Sequence, residues 1–92
     1  MKKYEDYRVP EGLAAKLLKD YPGAVWFDED TGKICYEETL DSLAECILND
    51  YDEKKMAKVF GCVLTDVEKM SEWLMYNVPD LYELLLIKNK EL

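Results

Sequence analysis

Apolar side chains recur along this chain mostly at the spacing of helices, with one interval that follows a different rule. Leu13, Leu17, Leu18 and Tyr21 stand three and four apart, which predicts a first helix. Pro10 suits its first turn, because the N–H that proline lacks would be unpaired there anyway. Glu11 comes early and Lys16 and Lys19 late, as the helix dipole favours, and Pro22-Gly23 ends the segment. Residues 24–38 then predict a β-hairpin. Val25-Trp26-Phe27 and Ile34-Cys35-Tyr36 are short aromatic and β-branched runs. The turn between them, 28–33, contains Gly32, which can take the positive φ of a bulged connection. A lone two-stranded hairpin is marginal in water, so one face of it is expected to pack on helices.

Helical spacing returns at Leu40, Leu43, Ile47, Leu48 and Tyr51. Asp41-Ser42 is read as the opening of this second helix, with Ser42 and Glu45 as a capping box. Asp52 caps a short third helix that has Met56, Val59 and Phe60 inward and Gly61 as its stop. Thr65 and Glu68 form a second capping box, opening a fourth helix to about Asn77 with Val67, Met70 and Leu74 on its core face and Trp73 beside it. Pro79 starts a fifth helix whose Leu81, Tyr82, Leu84, Leu85, Leu86 and Ile87 cover most of its circumference. A helix apolar nearly all round is buried on more than one side. The expected fold is therefore α+β: an N-terminal arm over residues 1–9, then a single domain over 10–92 with a leading helix, one hairpin and three to four packed helices.

Charge sharpens this picture. Residues 28–53 hold ten carboxylates (Asp28, Glu29, Asp30, Glu37, Glu38, Asp41, Glu45, Asp50, Asp52, Glu53) against the single Lys33, in a chain of net charge −8. Nearly all the net charge thus lies in one third of the sequence. Such a field attracts cationic surfaces and repels nucleic acid. The basic residues are lysines except for Arg8, and arginine is the side chain best suited to bidentate contacts with guanine and phosphate.

Candidate chemistry is sparse. With no histidine and only Ser42 and Ser71 as serines, general-base and serine chemistry have little to work with. Cys35, Cys46 and Cys62 are odd in number and form no Cys-x-x-Cys pair, which predicts buried hydrophobes rather than a disulfide frame or zinc site. The run Asp28-Glu29-Asp30-Thr31-Gly32 superficially suggests a calcium loop. Counted from Asp28, however, Lys33 falls where the loop needs glycine and Thr39 where it needs the bidentate glutamate. No metal, no cofactor and no enzymatic activity are expected. No apolar run approaches the roughly 18 residues of a membrane span, and the lysines near the N-terminus have no apolar stretch behind them, so no membrane association and a cytoplasmic location are expected.

Residues 54–74 resemble a helix-turn-helix, with Ala57 and Gly61 four apart between apolar Met56 and Phe60 and the later Val67, Met70 and Leu74. Its second helix carries Asp66, Glu68 and Glu72 beside Lys69, and three of those four repel phosphate. The favoured expectation is a non-enzymatic acidic protein-binding module: an inhibitor or antitoxin-like blocker that presents the ten carboxylates, as a partial nucleic-acid mimic, to a basic nucleic-acid-handling protein. Small acidic inhibitors that phages use against restriction or CRISPR nucleases have this character. The alternatives are a DNA-binding regulator using 54–74 and a structural subunit docking through its last helix. Tyr82 and Leu86 are the expected contacts for a homodimer or a partner.

Overall fold

The computed structural model describes residues 10–91, with backbone alone at Glu91; the expected N-terminal arm, 1–9, lies outside them. Five α-helices follow one another: α1 Leu13–Asp20, α2 Tyr36–Asp50, α3 Glu53–Phe60, α4 Val67–Asn77 and α5 Asp80–Glu91, with a 3-10 turn at Pro22–Ala24. No strand occurs among the described residues, so the fold is all-helical and the α+β expectation is corrected.

The predicted hairpin shrinks to one antiparallel bridge, Phe27 to Ile34. Its turn is nonetheless well tied. The Asp28 carboxylate accepts the N–H groups of Asp30 (2.8 Å) and Thr31 (3.3 Å). Asp28 N–H donates to the Lys33 carbonyl and Cys35 N–H to the Trp26 carbonyl, and Gly32 takes the positive φ of 71° that the turn demands. Pairing stops there because Tyr36, counted above as strand, is the first residue of α2. Tyr36, Leu40, Leu43, Ala44 and Ile47 share one helical spacing, and Glu37 and Glu38 fall in the first turn, where the dipole favours them. Ser42 lies six residues inside this helix, so the Ser42–Glu45 capping box is a chance spacing. Cys35 holds the N-cap position without a side-chain bond.

Other boundaries follow local chemistry. Asp52 caps α3 by accepting the Lys55 N–H at 2.8 Å, and Gly61 ends it with φ 77°. Asp66, one residue after the expected Thr65, caps α4 through the Lys69 N–H at 2.8 Å.

The buried side chains form one cluster drawn from all five helices. Leu17, Leu40, Leu43, Ile47, Phe60, Met70, Leu74 and Leu81 are fully enclosed. α2 packs along α4, and α5 lies against α1. At the end of α2, Phe60 stacks on Tyr51 (5.4 Å between ring centres) and meets the edge of Trp73 (4.9 Å), joining α2, α3 and α4. Such aromatic pairs add about 0.5–1.5 kcal/mol beyond their buried area.

Two polar ties fasten the 25–35 segment to this core. Trp26 N–H donates to Oγ1 of Thr39, a side chain that is completely buried, at 3.0 Å. Ile34 N–H donates to the Asn89 side chain of α5 at 2.7 Å. Thr39→Val keeps the shape but removes the acceptor, leaving the Trp26 N–H unpaired. It is expected to cost about 1–3 kcal/mol, read as a lower urea midpoint with an unchanged slope.

Candidate functional site

All ten carboxylates of the acidic stretch are exposed, but they do not form one uniform surface. Four have local duties. Asp28 organises its turn and Asp52 caps α3. Asp41 accepts the hydroxyl of the largely buried Ser71 on α4 at 2.7 Å, and Asp50 accepts the Tyr21 hydroxyl at 2.8 Å, tying the end of α1 to the end of α2. Glu29, Asp30, Glu37, Glu38, Glu45 and Glu53 make no side-chain hydrogen bond or ion pair among the described residues.

The geometry divides the stretch in two. Glu38, Asp41, Ser42 and Glu45 share one side of α2 and, with Trp26, line an open groove of about 330 Å³. A second groove of about 290 Å³ is lined by Trp26, Phe27, Asp28, Glu29, Cys35 and Glu38. The two share Trp26 and Glu38, so they adjoin at these residues. Asp50 ends α2, about 18 Å along its axis from Glu38 at 1.5 Å per residue, and Asp52 and Glu53 open α3 just beyond it. Asp30 and Glu37 line neither groove.

Sequence reasoning missed the aromatic floor. Trp26 and Phe27 stand 52% and 51% exposed, although adjacent strand residues should have placed one of them inward. The signal that could have found them is the pair of adjacent rings running directly into Asp28-Glu29-Asp30, with no second sheet face available to cover them.

Elsewhere, Tyr82 and Leu86 are 48% and 42% exposed on α5, and Tyr82 meets Tyr36 edge-on at 5.0 Å between ring centres. Neither lines the acidic grooves. In the helix-turn-helix-like segment, Ala57 is exposed rather than wedged between helices, and six residues separate α3 from α4, more than the three or four of a tight turn. Lys54, Lys55 and Lys58 are exposed on α3, and the Lys55 ammonium sits 4.1 Å from the Tyr51 ring centre.

Burial, with the negative charges of Asp50 and Glu45, pushes the Cys46 thiol up, the reverse of an activated nucleophile. No group of three or more His, Cys, Asp or Glu side chains among the described residues is placed to hold a metal ion. No described helix is long and apolar enough to cross a membrane.

With this geometry in view, the chain was compared with known proteins: no family model, curated protein or solved structure matches it.

Burial, followed by the hydrogen bond to Asp50, raises the Tyr21 hydroxyl well above its ordinary pKa of 10.0, and burial raises Tyr36 and Tyr51 in the same direction. A group whose pKa is higher folded than unfolded stabilises the fold below its unfolded value, and that stability is lost as pH rises toward the folded value. Urea midpoints are therefore expected to hold steady to about pH 8, to begin falling as the raised Cys46 thiol contributes, and to fall further as pH rises past 10. Tyr21→Phe should make that fall shallower. A separate measurement concerns α5: because Leu86 is 42% exposed, Leu86→Lys is expected to shift thermal stability by less than about 1 kcal/mol. Unfolding of that variant would place Leu86 in the core.

Proposed function

We propose that the protein is a non-enzymatic binding module that covers a cationic surface of a nucleic-acid-handling protein, acting as an inhibitor or antitoxin-like blocker. The observation that carries this reading is the exposure of all ten carboxylates of 28–53, six of them without a side-chain partner among the described residues. Carboxylates held on a helix and on a tied turn are a preorganised field, which favours association with a basic surface and costs little ordering on binding. Glu38, Asp41 and Glu45 rise about 10.5 Å along α2. Their charge is sparser than the one per 1.7 Å of a DNA duplex, so mimicry of nucleic acid is partial, and shape within the grooves has to supplement it.

The experiment is competition. Immobilised protein is used to capture its partner from an extract of the source cells, and duplex DNA is then tested for displacing what was captured. Displacement by DNA is expected, as is weaker capture with added salt, because exposed charges are screened beyond about 8–10 Å near physiological ionic strength. Glu38→Lys with Glu45→Lys should weaken capture at least about tenfold, while Glu11→Lys with Glu83→Lys should do little; circular dichroism checks that both pairs stay helical. Equal loss from the two pairs would mean that only total charge counts. The protein alone is expected to give no mobility shift with duplex DNA at low salt. A shift that Lys54→Glu and Lys58→Glu abolish would instead support the regulator reading.

A further inference from the structure

We propose that Trp26 is the anchor for an arginine side chain of the partner, with the guanidinium lying on the exposed indole face and its N–H groups reaching the carboxylates of Glu38 and Glu45. This rests on the reading of a basic protein partner and names the chemistry of its central contact. Trp26 is half exposed yet not loosely held. Its N–H is bonded to the buried Thr39 hydroxyl at 3.0 Å and its carbonyl to the Cys35 N–H at 2.8 Å, so the backbone that carries the ring is fixed from both sides. A large ring presented to solvent on a fixed backbone makes contact area at small entropic cost, the character of an interface hot spot.

The occupant follows from what surrounds the ring. Glu38, Asp41 and Glu45 line the groove beside it, and Asp28 and Glu29 line the adjoining groove. Asp41 is engaged by Ser71, whereas Glu38 and Glu45 make no side-chain bond among the described residues and remain open as acceptors. A nucleic-acid base could stack on the indole, but its phosphates would meet only carboxylates there. A neutral apolar side chain would leave the acids unanswered. A cation on the ring satisfies both, and guanidinium does so better than ammonium because it is planar, stacks on aromatic faces and spreads five donors toward several carboxylates. The molecule already uses the related contact internally, where the Lys55 ammonium rests 4.1 Å from the Tyr51 ring centre.

The test uses the full ¹⁵N-labelled protein at low salt, titrated with a blocked tetra-arginine peptide, its tetra-lysine counterpart and a tetra-citrulline control. The two indole N–H resonances are followed, Trp26 being identified by its loss in Trp26→Leu and Trp73 reporting on the core. The expected result is a saturable shift of the Trp26 resonance with arginine, weaker binding of lysine and none of citrulline. Trp26→Leu should weaken arginine binding about three- to thirty-fold and remove the preference over lysine. Should that variant disturb the Trp73 resonance, Glu38→Gln with Glu45→Gln, both at exposed positions, replaces it and is expected to weaken arginine binding by a similar factor. If backbone shifts appear along α2 while the Trp26 indole stays still and Trp26→Leu binds normally, the anchor is overturned and the acidic-surface reading stands. If neither cationic peptide binds, both fall together.

Discussion

α2 has to satisfy two opposite environments along fifteen residues, and the rest of the molecule is arranged around that constraint. One side buries Leu40, Leu43, Ala44 and Ile47 almost completely in the core. Another carries Glu38, Asp41 and Glu45 in water. The 3.6-residue period keeps the two sets apart without any special device. α4 covers the apolar side, and the 3-10 turn at Pro22–Ala24 packs against the same helix. The polar side is left uncovered, and Thr39, an enclosed hydroxyl on the same helix, reaches out to hold the backbone of Trp26. Core and candidate site are therefore two sides of one element. A change that rotated α2 would spoil both.

Much of the helical plan was legible in the sequence because its signals are local. Pro22-Gly23 after α1, Asp52 and Gly61 around α3, and Pro79 before α5 act through their own backbone geometry, and the helices end where these residues require it. The hairpin was misread for the same reason. Val25-Trp26-Phe27 and Ile34-Cys35-Tyr36 have strand propensity, but propensity of that kind reflects fit to a half-buried pleated surface. Nothing among the described residues supplies one. Helical spacing ran back through Leu40 to Tyr36 and claimed the second arm instead. The displaced caps, Ser42 for a helix that begins at Tyr36 and Thr65 for one capped by Asp66, show that a serine or threonine three residues before a glutamate is common enough to arise inside or beside a helix.

The acidic residues were legible as exposed, since ten carboxylates in 26 positions have nowhere else to go. Their division into a grooved set around Trp26 and a separate set near Asp50 was not. That division depends on contacts between residues far apart in the chain, such as Trp26 with Thr39 and Ser71 with Asp41, and no local pattern announces them.

The bond between Ile34 and Asn89 joins residues 55 positions apart in the chain. Closing so long a loop is entropically costly and slow compared with winding a helix. The segment from Trp26 to Cys35 thus takes one of its two fastenings from the far end of α5 and the other from Thr39 of α2. Loss of the Asn89 side chain alone would therefore loosen the surface proposed to meet a partner while leaving the buried cluster of the helices in place.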